Sequence, residues 1–264
     1  MSEKITAKNL DEVVDKNILI KDEINKKVAS VYDGYADLGG NFFYSFNYVA
    51  IQKLREYGLI QIPLENKYWS GAVFVKNGKK IPVINTAIPR VNQYFTAWHE
   101  VYHLLYDDVS FDYVIETEIM MEERKADYFA SLVLLKSLLP YYKKLPKMDF
   151  LSKIFYCMDA FGAPYKAILI MLYENAKQNN NQKLMTIIKK NFDNSFFDLA
   201  SEFRRLGLDD DLVKPSYVVN VAALKIKIQD KIKQNPEFSY NFENEQFLDN
   251  VVQELNLLIK KKDI

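Results

Sequence analysis

Both histidines of the chain, His99 and His103, stand four residues apart in Trp98-His99-Glu100-Val101-Tyr102-His103. On an α-helix, positions i and i+4 share one face with Cβ atoms roughly 5–6 Å apart. From that separation two imidazoles reach the same small cation. Glu100 sits about 100° further round, off the histidines' direction yet overhanging the space beside them. The stretch therefore calls for a helix. Tyr94, Phe95, Trp98, Val101, Tyr102, Leu104 and Leu105 make that helix apolar on nearly every side, which suits a central, buried element. Trp98 and Tyr102 are read as core residues.

The spacing His-Glu-x-x-His is the signature of a zinc site with three protein ligands and a water, the glutamate acting as general base. Here Glu100 takes that role. No other histidine exists, and the one cysteine, Cys157, rules out an internal disulfide and any multi-cysteine site. Cys157 itself reads as a small buried apolar residue. The third ligand must then be a carboxylate. In Glu122-Glu123-Arg124-Lys125-Ala126-Asp127-Tyr128-Phe129-Ala130 the residues Glu123, Ala126, Asp127 and Ala130 share a helical face. The two alanines allow this helix a close approach to the histidine helix. Glu123 is the favoured ligand, with Glu116, Glu118 and Glu122 as alternatives. Asp127, one turn on, is placed to accept the second ring N–H of a ligating histidine.

The rest of the chain must cover that helix. Its 264 residues suffice for one large domain or two small ones, and 49 % hydrophobic against 27 % charged residues is ordinary for a soluble globular protein. Formal charge is zero, which offers no electrostatic footprint for nucleic acid or an anionic membrane. The polar N-terminus lacks the apolar core of a signal peptide, and no run approaches a membrane span, so a cytoplasmic location is expected.

Residues 1–40 read as an N-terminal helical segment, two short helical patterns broken around Asp11 to Lys16 and ending at Asp33-Gly34 and Gly39-Gly40. A helix capped by Asn41 is expected from Phe42 to about Tyr57, stopped by Gly58. Short strands follow at Leu59–Pro63, Gly71–Lys76 and Lys80–Asn85, the last two forming a hairpin around Asn77-Gly78. Pro82 requires an edge or a solvent-facing position at that residue. Pro89 opens the histidine helix, with Asn92 an alternative cap, and Asp107 and Asp108 mark its end. A second long helix is expected from about Thr117 to Leu139, halted by Pro140. Helical patterns continue at 149–160 and 164–177. The polar tract Gln178 to Gln182 is the candidate linker to a helical region, 183–264, with patterns near 183–192, 195–206, 216–234 and 245–262. The expected class is α+β, mostly α, with a small antiparallel sheet packed on a zincin-type helix pair in residues 41–177.

At Phe95-Thr96-Ala97-Trp98-His99-Glu100-Val101-Tyr102-His103 and Glu123-Arg124-Lys125-Ala126-Asp127-Tyr128-Phe129-Ala130 the chain resembles the ImmA/IrrE family of metallopeptidases. These are gluzincins whose motifs read Phe-Thr, two residues, His-Glu-x-x-His, then Glu-x-x-Ala-(Asn or Asp)-x-Phe-Ala. The hairpin with Ile84-Asn85 is also similar, and the resemblance covers roughly residues 42–176. It implies zinc bound by His99, His103 and Glu123, with Glu100 as catalytic base. Tyr102 stands where the family commonly has glycine, Trp98 where a small residue is usual, and Pro140 falls about one turn late. Those departures change packing against the histidine helix.

Three functions compete. The first is a zinc-dependent endopeptidase acting on a protein partner, a helix-turn-helix repressor by the family resemblance. A peptide substrate is expected to add as a strand along Gly71–Lys76, with Val73 and Val75 lining the groove. With no spare histidine, oxyanion stabilisation falls to a tyrosine, lysine or arginine, Tyr94, Tyr106 and Tyr113 among the candidates. The second is a catalytically silent zinc-containing module that recognises a regulatory protein. Against the third, a DNA-binding regulator, stand the neutral net charge and the missing helix-turn-helix pattern.

Overall fold

A computed structural model describes residues 5–36, 46–66, 68–76, 78–107 and 116–262. Its opening helix, α1 (Leu10–Ala36), is continuous where the sequence reading placed a break. Leu10, Val14, Ile24 and Val28 form one buried stripe along it, while Asp11 turns outward to Tyr173 and Lys189. No glycine or proline interrupts residues 10–33, so the polar run is simply the helix's outer face. Asp33-Gly34, expected as an end, lies within the last turn, where a single glycine costs only about 1 kcal/mol.

Next come α2 (Phe46–Glu56), β1 (Ile60–Ile62), β2 (Gly71–Lys76) and β3 (Lys79–Asn85). Asn41, Phe42, Phe43 and Gly39-Gly40 lie outside the described residues. Gly58 ends α2 at φ +82°, a left-handed conformation that glycine adopts without steric cost, and Leu59 N–H donates back to Leu54 O at 3.2 Å. β2 and β3 form the expected antiparallel hairpin, with Gly78 at φ +71°; Asn77 lies outside the described residues.

The sheet order is β1-β3-β2, and β1 runs parallel to β3. The sheet is therefore mixed, not antiparallel throughout. The reason is the strand order: the chain leaves β1 and re-enters as β2 on the far side of β3, and the hairpin then brings β3 back between them, parallel to β1. β3 is central, yet Pro82 has a neighbour on one side only, Val73, because pairing with β1 begins at Val83. Its missing N–H thus costs no ladder bond to β1.

The outer edge of β1 is covered by the chain's own later segment. Gln61 and Asn220 exchange backbone hydrogen bonds at 2.9 and 2.8 Å, Tyr217 N–H donates to Thr86 O, and Arg90 N–H to Lys214 O. The outer edge of β2 pairs with nothing among the described residues, and Phe74 and Val75 on it are exposed.

Two central helices follow, α3 (Arg90–Tyr106) and α4 (Glu116–Leu134). α3 starts directly after Pro89. α4 stops five residues earlier than expected, and Pro140 falls inside α5 (Leu138–Lys144), in its first turn. A first-turn proline forfeits no helical hydrogen bond, so it opens a helix here instead of closing one. Helices α6 (Phe150–Phe161), α7 (Tyr165–Gln178), α8 (Gln182–Asn191) and α9 (Leu199–Arg205) and a 3-10 turn (Asp210–Val213) complete the packed body. The polar tract taken for a linker is a tight corner between α7 and α8. Asn180 is left-handed there (φ 52°) and the Asn181 side chain caps α8 by accepting from Leu184 N–H.

One apolar core runs from Leu10 on α1 through Ala97, Trp98, Val101 and Tyr102 on α3 and Phe129 on α4 to Ile168, Ile188, Phe192 and Phe203. Each such large side chain contributes about 1.5–3 kcal/mol by leaving water. Trp98 and Tyr102 are core as expected, packed edge-on or tilted against Phe129. Cys157 is buried too, its thiol pushed up to about 12 by burial. Helices α10 (Ala222–Gln234) and α11 (Asn241–Lys262) pack mainly on each other and leave Phe238, Tyr240, Phe242 and Phe247 exposed.

No single helix among the described residues is long and apolar enough to cross a membrane; α6 and α7, apolar when taken together, meet at 110° inside the core.

Candidate metal centre

α3 and α4 pack side by side, and on α4 the fully buried Ala126 and Ala130 share the face that carries Glu123 and Asp127. The small side chains bring the backbones close enough for residues on both helices to meet. At the end of α3, Lys80 reaches across from β3 and donates to the carbonyls of His103, Leu104 and Asp107 at 3.1–3.2 Å. A cation there satisfies the orphan carbonyls of the last turn and fixes where His103 stands.

The two imidazoles converge on one point. His103 Nε2 lies 3.1 Å from His99 Nε2, and Glu123 brings one oxygen to 3.4 Å from His99 Nε2 and the other to 3.5 Å from His103 Nε2. The outward ring nitrogens are both engaged: His99 Nδ1 with Asp127 Oδ1 at 3.0 Å, and His103 Nδ1 with Asp107 Oδ2 at 2.8 Å. An ionised carboxylate can only accept, so each Nδ1 carries a hydrogen and each ring directs its Nε2 inward, as a lone pair whenever that ring is neutral. Two nitrogens and a carboxylate facing one another need a positive charge among them, supplied by a proton on His99 or by a cation.

Electrostatics show the same demand. Burial opposes charge on His99, but hydrogen bonds to Asp127 and Glu123 hold its imidazole well above the usual range. His103 goes the other way, lowered by burial and by the neighbouring His99 against the pull of Asp107. Glu123 stays ionised below the usual carboxylate range despite its burial, because His99 bonds to it. Asp127 is likewise held low, by Arg124 and His99 against burial.

His99, His103 and Glu123 thus form a group able to hold a metal ion. With ligand distances of about 2.0–2.1 Å around a tetrahedral ion, donor atoms stand roughly 3.3–3.4 Å apart; the two imidazole Nε2 atoms are 3.1 Å apart, and each has a different Glu123 oxygen at 3.4 or 3.5 Å. Glu122, one of the alternatives, is turned away and bonds Tyr102 Oη and Lys125. The side chains of Glu116 and Glu118 lie outside the described ones.

Glu100 stands beside the cluster, 3 % exposed and without a hydrogen-bond partner among the described residues. Burial pushes its carboxyl up to about 7, with His99 pulling down and Glu123 and Asp127 pushing further up. Space for it comes from Gly71 at the start of β2. A Cβ there would stand 2.5 Å from Thr96 Cγ2, 2.9 Å from Val83 O and 3.0 Å from Glu100 Oε1. Only glycine lets the strand cross α3 at this point.

The cluster opens into a cleft of about 520 Å³, lined on one wall by Tyr68, Trp69, Ser70 and Gly71. That wall is ordered by the buried Asn85. Its Nδ2 donates to the carbonyls of Leu64, Asn66 and Trp69, and its Oδ1 accepts from Leu64 and Ala87. The cleft is also lined by Phe95 of α3, Lys166 and Ile170 of α7, and Leu199 and Val213 from the region beyond residue 183.

Five of the residues expected at the site, His99, Glu100, His103, Glu123 and Asp127, are brought together. Val73 and Val75 lie farther along the β2 edge and do not line the cleft; Val73 packs against the core. Of the oxyanion candidates, Tyr106 Oη faces Ser30, Tyr94 does not line the cleft, and Tyr113 lies outside the described residues. Asp107 was read only as a helix end. Its offset of four from His103 was the available signal. Compared with known protein families, curated proteins and solved structures, the chain matches none.

Proposed function

We propose that the protein is a zinc-dependent endopeptidase that cleaves a cytoplasmic protein partner, with helix-turn-helix repressors the substrate class implied by the resemblance to the ImmA/IrrE metallopeptidases. The observation that carries this reading is the meeting of three inward-facing donors with a proton-accepting carboxyl at the mouth of a cleft. His99, His103 and Glu123 would hold the zinc, which when bound draws charge onto a scissile carbonyl and acidifies a water.

Glu100, with its carboxyl near neutrality, is suited to take a proton from that water and deliver it to the leaving amine. Asp127 and Asp107 keep both imidazoles in the tautomer that presents Nε2 inward. An extended peptide lies along the open edge of β2 and enters the cleft at the Gly71 end, where the backbone comes nearest Glu100.

The test incubates purified wild-type protein, and Glu100→Gln protein of equal zinc content, with a candidate repressor encoded nearby. Cleavage by wild type alone is the expected result. Equal biological activity of both proteins, with neither cutting the partner, identifies the silent binding module instead.

A further inference from the structure

We propose that Arg124 is an anchor for a carboxylate of the bound peptide in the cleft that adjoins the metal centre. Its side chain is 11 % exposed, lines the cleft, and makes no hydrogen bond among the described residues. Nε is enclosed without a partner. The one ion pair is a long one, 3.5 Å to Asp127 Oδ2, and Asp127 already gives its other oxygen to His99.

Every other arginine behaves differently. Arg55 donates to Gln52, Arg90 to Asp211 O, Arg204 to Asp210 and Ser201, and Arg205 to Glu202. Arg204 and Arg205 are also well exposed, at 55 % and 59 %. Arg124 is thus the arginine with the fewest partners among the described residues, and its enclosed Nε–H is a donor left unsatisfied, while its Nη groups are not enclosed and so stay within reach of a ligand.

Its surroundings explain what would satisfy it. The acidic residues of the cleft lining, Glu100, Glu123 and Asp127, all belong to the metal centre, and the other lining residues offer no anion. Within such walls a planar, bidentate pairing with a carboxylate is much stronger than in water. The carboxylate is either the peptide's C-terminal group or an acidic side chain near the cut. This rests on the peptidase reading for its ligand class, and its test does not need turnover.

Three acetylated dipeptides serve as probes of zinc-loaded protein by calorimetry: Leu-Ala with a free C-terminus, Leu-Ala amide, and Leu-Glu amide. At least one carboxylate peptide is expected to bind wild type about tenfold or more tightly than the neutral amide. Arg124→Gln should erase that difference at unchanged zinc content, and Arg124→Lys should keep part of it. Preference for the free acid names the C-terminus as the source; preference for Leu-Glu amide names an internal acidic residue.

The proposal is overturned by equal binding of charged and neutral peptides, or by no binding of any. It is also overturned by a preference that persists in Arg124→Gln, since the metal would then be taking the carboxylate. Loss of zinc in both Arg124 variants assigns the residue to holding Asp127 and overturns it as well. Discriminating binding without any cleavage would leave this inference standing while the peptidase reading fell.

Discussion

Glu100 and Glu174 are the same side chain at the same depth, each 3 % exposed on a central helix, and they are treated in opposite ways. Around Glu174 on α7, one carboxylate oxygen collects Lys21 Nζ at 2.8 Å from α1, Tyr128 Oη at 2.9 Å from α4, and Gln178 Nε2 at 3.5 Å. It ties three helices together. Glu100 on α3 receives no donor from the described residues, and Gly71 keeps the adjoining space clear. A buried carboxylate supplied with donors stabilises a fold; one deprived of them retains its appetite for a proton.

The comparison can be broken by substitution. The largest effect on cleavage should come from His99→Ala or His103→Ala, since two protein ligands make a poor zinc site. Both metal, by elemental analysis, and activity should disappear. Glu100→Gln should retain zinc and thermal stability while the rate falls about 10²–10⁴-fold. Unfolding or zinc loss in that variant would show that Glu100 is a structural member after all.

Asp107→Asn should weaken zinc binding about 10–100-fold, measured by competition with a chelator, because the amide no longer fixes the His103 tautomer. Glu174→Gln should leave cleavage within about twofold and instead cost about 1–3 kcal/mol in denaturant unfolding. A fall in activity at full zinc occupancy would erase the distinction between the two glutamates.

How much of this was written locally is clear from single residues. His99, Glu100, His103, Glu123 and Asp127 lie on two helices whose 3.6-residue period sets their faces, so the cluster needed only that α3 and α4 meet. Pro140 misled because the same ring that stops a helix also starts one. The Asp11 to Lys16 run misled because a charged outer face reads like a break when the stripe beneath is sparse. Leu199 and Val213 carry no local sign of lining the cleft; an apolar residue looks the same whichever cavity it faces. Arg124 was concealed in a charge run that reads as solvated, and only burial set it apart.

The segment that covers β1 from Lys214 to Asn220 also fixes a valency. A sheet with two open sides can add strands on both and so pass the pairing from molecule to molecule, the route by which edges polymerise. With the β1 side closed by its own chain and β2 unpaired among the described residues, this sheet can take at most one guest strand per molecule and then terminates. Removing residues from 214 onward would make it divalent, and the same hydrogen bonds that now end the sheet would be offered to another copy.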